Sequence, residues 1–151
     1  MVAPHPPSAF LARHSRIGLD TNILIYFVQD HPRYTDWCDS FFHRIQAGET
    51  AAVTSTVSLL EALVQPYRLQ NDCLVQKFYA LLSTYPGLVW SPVSLEIADR
   101  AAELRARYNL STPDAIQIAT ALDAGATGFI GNDKGLKKVQ ELECLALDDA
   151  V

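Results

Sequence analysis

Two acidic residues follow segments that are typical of buried strands. Residues 17 to 19 are apolar enough for a short interior strand, and Asp20 comes next, ahead of an apolar run that predicts a helix. Residues 127 to 131 also predict a strand, and Asp133 lies just past its end. Each position also has a simple structural explanation, because Asp20 could cap a helix and Asn132-Asp133-Lys134-Gly135 is typical of a solvent turn.

Two further carboxylates belong to predicted helices. Glu61 lies in an apolar helix that begins among residues 55 to 58 and ends near Pro66, where a charge is unfavourable unless it is hydrogen-bonded, paired or solvated. Asp114 lies in the first turn of a later helix, where the helix dipole favours negative charge. Ordinary roles again exist, since Ser58 and Glu61 have the spacing of a capping box and Asp114 could serve the helix dipole alone.

The elements around these residues alternate between strands and helices. This alternation predicts an α/β fold with a central parallel sheet, right-handed crossovers and helices on both faces. The carboxyl ends of parallel strands share one edge of the sheet. If the first and fourth strands are neighbours, the strand order reverses between them, and all four acids face one cleft. The predicted strands cover about residues 17–19, 51–54, 88–90, 127–131 and 144–147; the predicted helices cover about residues 23–28, 34–47, 55–66, 72–84, 94–108, 112–125 and 136–142.

Four carboxylates in one cleft would repel one another, so they would either take up protons or hold a cation. A set of oxygen ligands favours Mg²⁺ or Mn²⁺ over Zn²⁺ or copper. The net charge of -5 becomes -1 without these four acids, so most of the chain's acidity could belong to one metal centre. The same charge argues against a surface that is cationic throughout, although a local cationic rim could still hold nucleic acid.

Other residue types exclude several classes of protein. The chain's 151 residues suit one domain, no apolar run approaches the ~20 residues of a membrane span, and no signal peptide is recognisable, so we expect a soluble cytoplasmic protein. The cysteines are far apart and predict reduced, buried thiols; the histidines lack metal-ligand spacing. No Ser-His or Cys-His arrangement indicates covalent catalysis. The cysteines are Cys38, Cys73 and Cys144.

The ends of the predicted domain carry two further expectations. Residues 1 to 15 contain Pro4, Pro6 and Pro7, which argue against a regular helix and predict an extended arm, packed by Phe10 and Leu11, ahead of a domain at residues 16–151.

An aromatic stripe at helical spacing occupies the second predicted helix. It is either core or a partner interface, and we expect Phe42 to be its most exposed member. The stripe consists of Trp37, Phe41, Phe42 and Ile45.

The four acidic motifs, in this order and spacing, resemble PIN domains, and specifically the single-domain VapC-type ribonuclease toxins of bacteria and archaea. The resemblance covers about residues 16 to 148. It implies a three-layer α/β/α fold with a five-stranded parallel sheet. The motifs are Leu19-Asp20-Thr21-Asn22, Glu61 in its apolar helix, Thr112-Pro113-Asp114-Ala115-Ile116-Gln117-Ile118-Ala119 and Asn132-Asp133-Lys134-Gly135-Leu136.

The resemblance also implies roles for particular residues. Asp20 and Asp114 would be the principal ligands of Mg²⁺ or Mn²⁺, Asp133 would complete the cluster, and Glu61 would act directly or through water. Thr21 and Asn22 would brace the site. Asn132 departs from the Thr or Ser of many relatives, although an amide can still hydrogen-bond a water on the metal.

Function follows from the same resemblance as an expectation. It implies an endoribonuclease that hydrolyses RNA phosphodiesters, forms a homodimer and is inhibited by a small antitoxin protein. Alternatives are a solitary PIN-domain nuclease in RNA processing, a non-catalytic RNA- or protein-binding module, and a site for another phosphorylated ligand. Crowding of four acids favours the enzyme, because a binding module has no need to bring like charges together.

Overall fold

The computed structural model describes residues 6–150, and its core is a five-stranded parallel sheet with helices on both faces. A 3₁₀-helix also follows each of the last two strands. The elements in chain order are α1 (Pro6–Arg13), β1 (Arg16–Leu19), α2 (Thr21–Val28), α3 (Thr35–Gln46), β2 (Ala51–Ser55), α4 (Thr56–Arg68), α5 (Asp72–Leu82), β3 (Leu88–Ser91), α6 (Leu95–Tyr108), α7 (Thr112–Asp123), β4 (Gly128–Gly131), the 3₁₀-helix Lys134–Lys138, β5 (Glu143–Ala146) and the 3₁₀-helix Leu147–Asp149.

The strand order is β3-β2-β1-β4-β5, so the first and fourth strands are neighbours, which is the condition for the four acids to share one edge. Leu19 pairs with Ile130 at the carboxyl ends of β1 and β4. The ladder continues one residue further, because the Asp20 N–H donates to the Ile130 carbonyl at 3.0 Å. The chain therefore reverses its winding direction beside Asp20, at the position where α/β sheets open a ligand crevice.

Two apolar cores lie on opposite faces of the sheet. One joins the sheet to α2 through α5, and the other joins it to α6 and α7. The second face is closely packed, since a Cβ atom on Gly18 would lie 2.5 Å from the Ala121 Cβ. The alanine-rich α7 can therefore approach the middle of β1, which fixes the position of its first turn relative to the sheet edge.

The predicted N-terminal arm is wrong over most of its length, because residues 6 to 13 form helix α1. Pro6 and Pro7 occupy its first turn. Proline is tolerated there because backbone N–H groups in a first turn have no partner within the helix, so the N–H that proline lacks is not missed. Phe10 and Leu11 are buried as expected. Residues 1 to 5, including Pro4, lie outside the described residues.

The aromatic stripe belongs to the core, so the prediction that Phe42 would be exposed is wrong. Phe42 is 0% exposed, and its ring stacks on Phe27 with centroids 3.9 Å apart. Phe41 and Ile45 are also buried, and only Trp37 is partly accessible. The reason is that α3 packs against α2 on one face of the sheet, which buries every member of the stripe except Trp37.

The C-terminal residues are paired with the rest of the chain, and one cysteine differs from expectation. Asp148 and Asp149 belong to the last 3₁₀-helix and pair with side chains elsewhere. Cys38 is buried and Cys144 partly so, but Cys73 is exposed; all three thiols are free. Within residues 6–150 no helix is long and apolar enough to cross a membrane.

Candidate metal and catalytic centre

Asp20 is a buried carboxylate at the junction of β1 and α2. It stands at the N-cap position of α2, yet its side chain makes no capping hydrogen bond, so the ordinary explanation for this residue is not supported. The residue is 8% exposed. The end of β4 passes closely beside it, because a Cβ atom on Gly131 would lie 3.3 Å from the Asp20 Cβ. A glycine at that position leaves the room that the carboxylate occupies.

The pKa of Asp20 is raised to about 7. Burial is the largest cause, because removal from water disfavours the charged form. The negative charges of Asp114, Glu61 and Asp133 raise this pKa further, while the nearby Thr21 N–H opposes the shift. The charges of the other three predicted site acids therefore all act on Asp20.

Asp114 lies in the first turn of α7, which Ser111 caps by accepting a hydrogen bond from the Asp114 N–H at 3.3 Å. Its carboxylate is partly buried. The pKa of Asp114 is raised chiefly by burial and also by the charge of Asp133, with a hydrogen bond to Ser111 acting in the opposite direction. Asp20 and Asp114 are thus the two acids whose environment disfavours ionisation without a counter-ion.

Glu61 does not belong to a capping box. Helix α4 begins at Thr56, and its cap is Ser55, which accepts from the Val57 N–H at 3.1 Å. Glu61 instead accepts a hydrogen bond from the Thr21 hydroxyl, with Oγ1 and Oε1 2.8 Å apart. The motif after β1 and the carboxylate on α4 are therefore directly joined.

Asp133 is exposed and caps the following 3₁₀-helix. Its Oδ1 accepts from the Gly135 N–H at 2.8 Å, so the turn explanation holds for one of its two oxygens. Its charge nevertheless acts on both Asp20 and Asp114. Asp133 is therefore the outermost acid of the cluster.

None of the four acids forms an ion pair within residues 6–150, although nine ion pairs occur elsewhere in that part of the chain. The donor set contains only oxygen, which suits Mg²⁺ or Mn²⁺. Over the same range no three acidic, histidine or cysteine side chains lie close enough to form a ready-made metal site. The oxygen-only chemistry of these residues fits a divalent cation that keeps several of its waters.

A buried hydrogen-bonded network lies directly behind the acids. The Gln117 Nε2 donates to the Ser58 hydroxyl and, at 3.4 Å, to Thr21 Oγ1, while its Oε1 accepts from the Ser55 N–H at 3.3 Å. The hydroxyls of Thr54 and Ser58 are 2.7 Å apart. This network connects α7 to the start of α4 and to Thr21. Sequence reasoning missed it, although a glutamine among the apolar residues of α7 was a signal.

The structure gives the remaining predicted residues different surroundings. Thr21 braces Glu61 as expected, whereas Asn22 is exposed. Asn132 donates to the hydroxyls of Tyr26 at 3.2 Å and Tyr34 at 3.1 Å, and it accepts from the Asp148 N–H at 3.0 Å. These contacts hold the loop that carries Asp133, and they engage both ends of the amide that was expected to contact a water on the metal.

A strand-order reversal lined by clustered acids defines the class of site, and comparisons with known proteins define the family. The PIN domain family profile matches residues 17–142. The chain belongs to the PIN domain family, as the four motifs predicted. No curated protein matches the chain significantly.

Solved structures with this fold include proteins described as toxins and toxin–antitoxin complexes. VapBC2 from Rickettsia felis, bound to a promoter DNA fragment, matches with a TM-score of 0.71 and 17% identity over 87% of this chain and 98% of the other. A toxin–antitoxin complex from Klebsiella pneumoniae matches with a TM-score of 0.64 and 25% identity, over 85% of this chain and 95% of the other. VapC20 of Mycobacterium tuberculosis is a toxin that cleaves the sarcin-ricin loop. It matches with a TM-score of 0.61 and 18% identity, over 85% of this chain and 99% of the other.

Proposed function

We propose that this protein is a cytoplasmic, Mg²⁺- or Mn²⁺-dependent endoribonuclease and the toxin of a toxin–antitoxin pair. The single observation behind the proposal is the buried Asp20 at the reversal of strand order, where other acids act on it and no cationic side chain of residues 6–150 pairs with it. The similarity to an RNA-cleaving toxin and to toxin–antitoxin complexes supports the choice of substrate and partner.

In this proposal Asp20 and Asp114 hold the cation, and Asp133 completes the set from the rim of the cleft. When bound, the cation supplies positive charge for the transition state of phosphodiester hydrolysis and makes a bound water more acidic. The hydrogen bond from Thr21 fixes one oxygen of Glu61. The other Glu61 oxygen is then oriented to accept a proton or hydrogen bond from water beside the cluster.

The direct test is RNA cleavage by purified protein with Mg²⁺ or Mn²⁺, compared with the same reaction in chelator. We expect cleavage to stop in chelator and to fall at least ~100-fold in Asp114→Asn, which removes a charge but keeps the shape. Asp123→Asn, at the other end of α7, is the matched control and is expected to behave as the unsubstituted protein. Cleavage by Asp114→Asn at the unsubstituted rate would contradict the proposed site.

The predicted homodimer is also part of the proposal, but on a different surface from the aromatic stripe. Leu60, Val64 and Tyr67 follow helical spacing on α4 and are 64%, 38% and 57% exposed. Val93 and Leu95, which follow β3, are also exposed, and β3 pairs with the strand that leads into α4. Several large exposed apolar side chains on one helix face are typical of interaction surfaces.

Light scattering is expected to give twice the mass of one chain. Tyr67→Lys is expected to shift the protein towards the monomer, because Tyr67 lies two turns from Glu61 and its replacement leaves the acids in place. Tyr79→Lys, an exposed tyrosine on α5, is the control. A monomeric unsubstituted protein, or equal dissociation by both variants, would contradict this assignment. A small antitoxin would be a separate partner, expected to be encoded beside this chain.

A further inference from the structure

A segment that is rich in lysine directly follows Asp133. Three of the four lysines, at positions 134, 137 and 138, belong to this segment, and the fourth is Lys77 on α5. A protein of net charge -5 gains little general attraction for a polyanion. The placement of its lysines is therefore informative about where an anion can bind.

The geometry of the 3₁₀-helix brings two of these lysines together. Side chains three residues apart eclipse one another in a 3₁₀-helix, so Lys134 and Lys137 extend from the same face. Both reach the carboxylate of Asp149: Lys134 Nζ is 3.5 Å from Oδ1, and Lys137 Nζ contacts Oδ2. Each ammonium group therefore pairs with a different oxygen of the same carboxylate.

This arrangement also suits a phosphate, which offers two charged oxygens on one centre. We propose that Lys134 and Lys137 form a clamp for a backbone phosphate of the RNA substrate, and that Asp149 occupies the clamp until RNA replaces it. The inference depends on the proposed function. It adds a binding site next to the acidic cleft, on the loop that already carries Asp133.

Exposure and charge make the exchange feasible. The side chains of Lys134, Lys137 and Asp149 are 66%, 47% and 37% exposed, and exposed ion pairs of that kind contribute little to stability. A phosphate that displaces Asp149 therefore meets little resistance, and RNA binding releases counterions in addition. Asp149 belongs to the short Leu147–Asp149 helix near the end of the described chain, so its displacement requires no change in the sheet.

The test is the affinity of a single-stranded RNA probe for the whole protein in chelator, measured by fluorescence anisotropy across a salt series. Loss of the contact with this one phosphate is expected to reduce the slope of log K against log salt by about 0.7, and to weaken binding about 5-fold near 0.1 M salt. Lys134→Gln/Lys137→Gln should show this effect. Lys77→Gln is a matched control, because its side chain is 47% exposed and also ion-paired, and it should bind as the unsubstituted protein.

Asp149→Asn is expected to change RNA affinity in the opposite direction, because it removes the negative charge that competes for the two lysines. Binding should become several-fold tighter at low salt. Equal affinities for the double variant and Lys77→Gln would overturn the clamp, even if the protein cleaves RNA. Weaker binding by Asp149→Asn would overturn the exchange, since Asp149 would then position the lysines. If the unsubstituted protein neither binds nor cleaves RNA, the proposed function fails and the clamp fails with it.

Discussion

Acidic side chains at the two edges of the sheet have opposite environments. At the amino end, Glu143 pairs with Arg13 and lies 3.5 Å from His14 Nε2, and its pKa is lowered chiefly by the hydrogen bond from Arg13. At the carboxyl end, the charges acting on Asp20 are other acids, and its pKa is raised to about 7. The acid at the amino end is paired within the protein and holds α1 in place, whereas Asp20 at the carboxyl end has no ion pair within residues 6–150.

This contrast separates stabilising charges from functional ones. The Glu143 pair is complete within the protein and connects α1 to the start of β5. The Asp20 cluster is unfavourable for the fold by itself, and the cation of the proposed function would offset that repulsion. Acids that destabilise the protein without a ligand are typical of functional sites.

The larger expected effect concerns Asp20→Asn in chelator. Because the folded-state pKa of Asp20 is raised, the folded protein binds more protons than the unfolded chain between pH 4 and about 7, and its stability falls as pH rises through that window. Asp20→Asn removes this dependence. The difference in Tm between variant and unsubstituted protein should therefore shift in the variant's favour from pH 5 to pH 8, measured by thermal unfolding.

Glu143→Gln is the comparison variant and has the smaller expected effect. A lowered folded-state pKa contributes stability that is present above the unfolded pKa and is lost as pH falls through the folded value. The variant should therefore be less stable at pH 8, by at most about 1 kcal/mol because the pair is exposed. If both variants change stability with the same sign at pH 8, the contrast between the edges is wrong.

Sequence patterns predicted the elements and the neighbours of Asp20 because these depend on local rules. Short apolar runs alternating with helical segments imply a parallel sheet, whereas the strand order, and with it the reversal beside β1, had to come from the structure. Local rules failed where tertiary packing decides. Prolines argued against a helix at residues 6 to 13, but proline is compatible with a first turn.

The candidate site shows the same division. The four acids could be named because their residue types are unusual at strand ends and in an apolar helix. The behaviour of Glu61 could not be predicted, because the Ser58 spacing imitated a capping box while the helix actually begins at Thr56. The Gln117 network joins α7 to α2 and to the junction of β2 and α4, which are distant in sequence, so only the folded chain shows it.

The most direct test of the central claim is calorimetric titration of the RNA-free protein with Mn²⁺ at pH 6 and pH 8. A carboxylate must lose its proton before it can ligate a cation, and the pKa of Asp20 is about 7. We expect tighter binding at pH 8, proton release on binding at pH 6, and loss of binding in Asp20→Asn but not in Glu143→Gln. Equal affinity at both pH values, or Mn²⁺ binding that survives Asp20→Asn, would contradict the assignment of the acidic cleft as a metal centre.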